Sequence, residues 1–436
     1  MRANQPTRLN KFFRYVNLAA LLAAAVGALT ANALSQTEQV LYSFVPRSGG
    51  YPQGGVVIDS QGNLYGTNES GDQGYGFGAV FELTPATGGG WTETPILTFH
   101  KSSTGTNPAA GLAWSASGNL LYGTTMMGGE GNNVCIQGCG TVYQLAKNSG
   151  GTWGETVIHE FAGGVDGLDP IGGVVTEPGA IVYGTTAYGG KNNCGVVFKL
   201  EPAQNWHETI LHTFTCGVDG AVPSASLVMD ATGNLYGTTY AGGNTSECAG
   251  TKGCGVAFEL SPSGSVWKET ILHTFTGGVD GANPLSNLIF DASGNLYGTA
   301  SSGGDLSACS EGCGTVFELS HTAQGWKTTV IRSFGGGADG ANPGAGLIFD
   351  AAGNLYGTTV NGGYVGYTCA GRGCGTVFEL SPANGVWGLT SLHAFKDNGD
   401  GAWPNGNLVF DSAGNLYGTT SGGGTDAAGT VFEITP

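Results

Sequence analysis

A chain of 436 residues with 81 glycines, 11% charged residues and a formal charge of −17 lies far from an ordinary soluble domain, in which about 25% of residues are charged and about 7% are glycine. No Gly-X-Y period runs through it, which excludes collagen, and 40% hydrophobic residues are too many for a disordered polymer. The acidity argues against nucleic acid and anionic membrane surfaces as partners, because phosphates call for basic stripes.

The chain opens with Arg2, Arg8, Lys11 and Arg14, then an apolar run from Val16 to Leu29, then Ala31-Asn32-Ala33. Residues 1–33 therefore read as a secretory signal with an A-x-A cleavage site. The run is shorter than the roughly 20 residues a spanning helix needs, and no second long apolar stretch follows. The mature chain is expected to be exported to the periplasm, the cell surface or the medium, with no membrane span.

From there a single phrase recurs. Its tyrosines are Tyr65, Tyr122, Tyr183, Tyr236, Tyr297, Tyr356 and Tyr417, spaced 53 to 61 residues apart, and prolines 52, 108, 170, 223, 284, 343 and 404 keep step. A period of this size points to a propeller or a solenoid. Each unit offers four strands. In the fifth these are Leu288 to Phe290, Asn295 to Thr299, Gly314 to Leu319, and a last strand from Trp326 through Phe334. Asp291-Ala292-Ser293-Gly294 turns the chain between the first two, with Asp accepting backbone hydrogen bonds and Gly supplying positive φ.

The ends decide between ring and solenoid. The chain finishes on a third strand, Gly429 to Ile434, and the missing fourth stands at the other end as Val40-Leu41-Tyr42-Ser43-Phe44. A solenoid has no reason to split a unit, whereas a ring removes two sheet edges by doing so. The expected fold is all-β: one domain over residues 39–436, a seven-bladed β-propeller of four-stranded antiparallel blades closed by residues 40–44 on the C-terminal blade. The glycine after each recurring tyrosine is expected to let a neighbouring blade sit close.

Gly353-Asn354-Leu355-Tyr356-Gly357-Thr358-Thr359, followed by Cys374-Gly375-Thr376-Val377-Phe378-Glu379-Leu380, resembles the GloVer-type tandem repeat of exported bacterial proteins. The resemblance covers essentially all of residues 40–436. It implies export, often with a separate C-terminal anchor, and no established activity. The Asp-x-x-Gly-Asn-Leu-Tyr hairpin is also similar to NHL-type propeller blades, an architectural analogy only.

Ten cysteines fall into four local pairs, Cys135/Cys139, Cys248/Cys254, Cys309/Cys313 and Cys369/Cys374, and a fifth, Cys194 with Cys216. In an up-and-down blade, the start of the third strand and the end of the fourth lie side by side, which is where Cys194 and Cys216 stand. An even count in an exported chain favours disulfides, and the variable spacers on separate blades fit zinc poorly.

Candidate chemistry is sparse. Asp166, Asp219, Asp280, Asp339 and Asp400 each precede a glycine after a fourth strand. They could form an acidic collar for calcium, but no Asp-x-Asp-x-Asp loop exists, and Ser48 and Thr104 replace them in the first two units. A turn role is expected, with no cofactor.

The residue before each recurrent proline varies, and variation on a fixed frame is where a ligand site can be built. Trp403 and Tyr51, in the seventh and first units, are candidates to stack on sugar rings, with Tyr188, Tyr240 and Asp169 beside them. Six tryptophans at the start of fourth strands, from Trp91 to Trp387, are expected on the outer edges of blades. His159, His212, His273 and His393 share one repeat position on separate blades, so they cannot converge on one metal and read as edge-strand polar residues.

No nucleophile with a base and no symmetry-breaking pair of carboxylates emerges. The expected role is a monomeric binding or scaffold module with a glycan or protein ligand at the loop-rich face. The alternative is a polysaccharide lyase or hydrolase using carboxylates of that face.

Overall fold

The Asp-x-x-Gly-Asn-Leu-Tyr segments fold as the hairpins their residues dictate. Asp291 Oδ1 accepts the backbone N–H of Ser293 and of Asn295, both at 2.8 Å, and Oδ2 accepts the Asn295 amide at 2.8 Å and the Tyr297 hydroxyl at 3.3 Å. Gly294 closes the turn at φ +84°, a conformation costly to any residue with a Cβ. In the third unit Glu177 takes the place of the aspartate and accepts the Tyr183 hydroxyl at 2.8 Å.

The structure, a computed structural model, describes residues 36–435 except 47, 73–76, 101–103, 245, 247, 249, 251, 265 and 365–368. The expected signal, residues 1–33, lies outside the described residues. Glu38–Thr435 form one compact unit. It consists of seven four-stranded antiparallel sheets, with a two-stranded pairing of Ser48–Gly50 with Ser70–Asp72 beside them. The fifth blade runs Ile289–Phe290, Leu296–Ala300, Thr315–Thr322 and Gly325–Ser333. The last blade holds Val409–Phe410, Leu416–Thr420 and Thr430–Thr435, and Thr37–Ser43 joins its open edge. The closing strand begins and ends earlier than the expected 40–44. Phe44 nevertheless continues the pairing, donating its N–H to Gly429 at 3.0 Å. Leu41 and Phe44 are buried in one cluster with Phe81 of the first blade and Val431 of the last.

The ring is stitched by the repeated threonine. Thr67, Thr124, Thr185, Thr238, Thr299, Thr358 and Thr419 each donate a hydroxyl to a carbonyl of the next blade at 2.8–3.2 Å, the last reaching Gly54 and closing the circle. Close approach between blades is made by a different glycine from the one expected. A Cβ on Gly66 would lie 2.4 Å from Phe81 of its own blade, so the Tyr-Gly glycine gives room to a cross-strand ring. The glycine before each third strand meets the neighbour instead: a Cβ on Gly314 would lie 2.5 Å from Pro343.

The tryptophans also differ from expectation. Each stacks edge-on against the recurring tyrosine of the preceding blade, Trp267 on Tyr183 at 6.3 Å for example, and so fills the seam between blades. A large amphipathic ring gains more by burying its face in that seam than on an open edge.

All five expected disulfides are present: Cys135–Cys139, Cys194–Cys216, Cys248–Cys254, Cys309–Cys313 and Cys369–Cys374. Among the described residues no helix is long and apolar enough to cross a membrane.

Candidate functional site

Around the axis the chain segments ahead of each first strand press backbone against backbone. A Cβ on Gly54 would lie 2.3 Å from Gly111 N, and one on Gly55 would lie 2.2 Å from Asn407 O. The channel they leave measures about 100 Å³ and is walled by Gly, Ala, Ser, Asn, Gln, Ile and Leu. Asn407 spans it, donating its amide to Asn287 Oδ1 at 2.9 Å and accepting the Gly346 N–H at 2.6 Å.

At the loop-rich end of this channel stand the residues before the recurrent prolines. All seven (Tyr51, Asn107, Asp169, Val222, Asn283, Asn342 and Trp403) have positive φ, between 55° and 60°. Each backbone is held at both ends. The Trp403 N–H donates to Cys374 O of the preceding blade at 2.8 Å, and its carbonyl accepts the Ser421 N–H at 3.1 Å. Tyr51 repeats this with Ala428 and Glu69 at 2.7 and 3.3 Å. Left-handed backbone suits Asn and Asp, whose short side chains bond locally, and costs other residues roughly 1–2 kcal/mol. Asn283 and Asn342 use theirs to reach Tyr240 O and Ser301 O, both at 2.9 Å. Val222 packs into the core between the third and fourth blades. Tyr51 and Trp403 do neither of these things and remain 40% and 36% exposed.

The two aromatics sit on adjoining blades whose leading segments are tied by Asn405 Nδ2 donating to Gln53 Oε1 at 3.0 Å. Trp403 lies over the backbone of Gly422, where a Cβ would come within 2.6 Å of its ring. Tyr188 is exposed and pairs through its backbone with Leu168, next to Asp169. Half-buried Asp169 has its carboxyl pushed up by burial. Tyr240 is half-buried and packs on the cluster that holds Val222. Tyr188 follows the second strand of the third blade and Tyr240 that of the fourth, whereas Tyr51 and Trp403 lead into the first and seventh.

The Asp-Gly turns are built as expected: Asp219 Oδ2 accepts the Thr215 N–H at 2.8 Å and Asp280 Oδ2 the Thr276 N–H at 3.1 Å. Their other neighbours were not foreseen. A bulge next to each fourth-strand histidine position turns that side chain toward the Asp of its own blade. His273 meets Asp280 at 3.0 Å and His393 meets Asp400 at 3.1 Å. At two seams a glutamate from the next blade joins, giving His159–Asp166–Glu208 and His212–Asp219–Glu269. Burial, aided by Asp166, pushes the Glu208 carboxyl up to about 10, and burial pushes Glu269 up to about 8. Burial lowers both imidazoles, His159 and His212, against the pull of Asp166 and Asp219. The sequence does carry a signal for this grouping: Glu and His four residues apart on consecutive fourth strands, as in Glu155…His159 and Glu208…His212.

A closed ring of sequence-repeated blades, with an invariant frame and variable residues at one end of the axis, defines a β-propeller repeat protein. The chain belongs to the Gloeobacter/Verrucomicrobia repeat family, which matches residues 28–251 and 244–436. No curated protein matches the sequence. Among solved structures the chain is similar to a candidate 6-phosphogluconolactonase from Bacteroides uniformis, at 15% identity over 77% of this chain and 83% of that one, with a TM-score of 0.46. It is also similar to a candidate glucose dehydrogenase from Thermus thermophilus (14% identity, 78% and 98% covered, TM-score 0.43) and to a protein from Lactobacillus plantarum (13%, 79% and 85%, 0.46).

Proposed function

We propose that this protein is an exported binding propeller that holds a glycan on its loop-rich face, with Tyr51 and Trp403 as the stacking pair. The carrying observation is the cost of their backbone. Two large aromatics occupy a positive-φ position that Asn fills with less strain at the same place in three other blades, and their rings face solvent. Strain retained at an exposed residue points to a use for its side chain. An aromatic face held on a rigid frame is the group that stacks on sugar C–H surfaces. The five disulfides support export, since they persist in oxidising compartments. The narrow axial channel, walled by side chains that do not titrate at neutral pH, supports binding over turnover.

The test is a polysaccharide array probed with the secreted mature protein and with Tyr51→Ala and Trp403→Ala. The reading expects at least one glycan class to bind and each variant to weaken it tenfold or more. Binding indifferent to both variants, or no binding at all, would reject it. Polysaccharide turnover abolished by Asp169→Asn would favour the enzymatic alternative, which rests on the half-buried carboxyl of Asp169.

A further inference from the structure

Two seams on the outer flank of the ring each gather one imidazole and two carboxylates, with no Lys or Arg in ion-pair contact among the described residues. In the first, His159 Nε2 stands 3.8 Å from Asp166 Oδ2 and 3.8 Å from Glu208 Oε1. In the second, His212 Nε2 stands 3.7 Å from Asp219 Oδ2 and 3.6 Å from Glu269 Oε1. Within each group the three donor atoms lie within 4.8 Å of one another. The Glu208 side chain is only 7% exposed. Glu208 Oε1 and His159 Nε2 are buried and make no hydrogen bond, and the same holds for Glu269 Oε1 and His212 Nε2. Four inward-facing polar atoms are thus left unpaired at two equivalent places, where such atoms normally find partners.

We propose that each seam binds a divalent first-row transition ion, zinc being the best match, which clasps one blade to the next. The separations are too long for hydrogen bonds. They suit two ligands on one ion: donors about 2.1 Å from a metal and 110–120° apart lie roughly 3.4–3.6 Å from each other. An imidazole with two carboxylates selects zinc or its neighbours over calcium and magnesium, which prefer all-oxygen shells. A cavity of about 430 Å³ borders the first group and leaves room for water as a fourth ligand. A bound ion would balance the charge of the carboxylates gathered at each seam.

The repeat supplies its own comparison. Where the next blade carries Thr328 in place of the glutamate, His273 closes directly onto Asp280 at 3.0 Å. In the fifth blade Arg332 replaces the histidine and ion-pairs with Asp339, and the following blade has Leu389 at the glutamate position. A permanent cation and a missing carboxylate thus occur together. At the last seam Glu38 approaches His393 and Asp400, yet His393 still bonds Asp400 at 3.1 Å; that seam is not part of the proposal.

The test uses the secreted mature protein, stripped with EDTA and titrated with zinc chloride by calorimetry at pH 7.5. All ten cysteines are disulfide-bonded, so thiols do not compete. The expected result is two equivalents bound, falling to one in Glu208→Gln, to one in Glu269→Gln, and to none in the double variant. Circular dichroism of each variant confirms the fold. Because Asp166 and Asp219 also hold turns, they are left unchanged, and His159→Gln serves as the second probe of the first seam. A single equivalent bound by wild type and lost in Glu208→Gln, with Glu269→Gln unchanged, would uphold the first seam and remove the second. No zinc bound, or a stoichiometry unchanged by the variants, would overturn the proposal and leave a shared proton in place of the ion.

Discussion

Glycine at the start of each third strand is where one blade touches the next, and Gly314→Ala measures that contact. Gly314 has φ +92°, and a Cβ there would lie 2.5 Å from Pro343 Cδ and 2.6 Å from Ala300 O. Ordinary carbon contacts fall at about 3.5–4.0 Å, so the overlap is about 1 Å. Neither neighbour can swing away, since one is a proline ring and the other a backbone carbonyl. Gly294 provides the control: its φ is +84°, and a Cβ there meets nothing within 4 Å. Positive φ costs alanine roughly 1–2 kcal/mol at either site. Overpacking adds about 1–3 kcal/mol at Gly314 alone. Gly314→Ala should therefore destabilise the ring by about 2–5 kcal/mol and Gly294→Ala by about 1–2 kcal/mol. Urea unfolding followed by tryptophan fluorescence, with disulfides intact, reads both. Equal midpoints for the two variants would refute the argument that this glycine sets the spacing between blades.

Three other outcomes follow from the same contacts. Thr419→Val removes the hydroxyl donated to Gly54 O at 2.9 Å and should cost about 1 kcal/mol in urea; no loss would show that the hydroxyl adds nothing at the closure. Cys194–Cys216 spans 22 positions and the local bridges only 4 to 6. Replacing Cys194 and Cys216 with Ser should accordingly cost about 3 kcal/mol, against about 2 kcal/mol for the Cys309/Cys313 pair, and the reverse order would count against a chain-entropy origin.

The hairpin aspartates should also give the fold an acid limit. Burial works to raise the Asp350 carboxyl, but the backbone and side-chain hydrogen bonds from Asn354, with those from Tyr356 and Ala352, outweigh it and hold the group below its ordinary value. A carboxyl lowered in the fold contributes stability that is fully present above its unfolded-state value and is lost as pH falls through the folded one. Between neutral pH and about pH 3, wild type should lose more stability than Asp350→Asn, as read by urea midpoints. Parallel losses would remove Asp350 from the acid limit.

Features fixed within one repeat were legible in the sequence. Asp291 to Gly294 carries its own turn chemistry, so the hairpin could be read without its surroundings. The pairing of Cys194 with Cys216 followed from strand direction alone, and the split last unit pointed to closure by residues near Leu41. Side-chain contacts set between repeats were harder to read. The Trp267 ring finds its partner, Tyr183, on another blade, and the room at Gly66 goes to Phe81 of its own sheet. Glu208 lies four residues before His212 on the same strand, yet it faces His159 of the preceding blade. That offset depends on how neighbouring sheets are staggered, which a repeat period does not encode. The strain at Tyr51 and Trp403 was likewise hidden, because only coordinates show that a variable residue sits at positive φ.

The ring is closed where Thr37–Ser43 joins the last blade and packs against the first. Phe44 is 1% and Leu41 8% exposed, and deleting either side chain from such a core costs about 2–5 kcal/mol. The most direct measurement is the urea midpoint of a chain starting at Val45, with its disulfides formed, with and without a synthetic peptide spanning residues 36–44. Closure by this strand predicts a sharply lowered midpoint that the peptide restores. An unchanged midpoint that ignores the peptide would contradict a ring closed by its N-terminal strand.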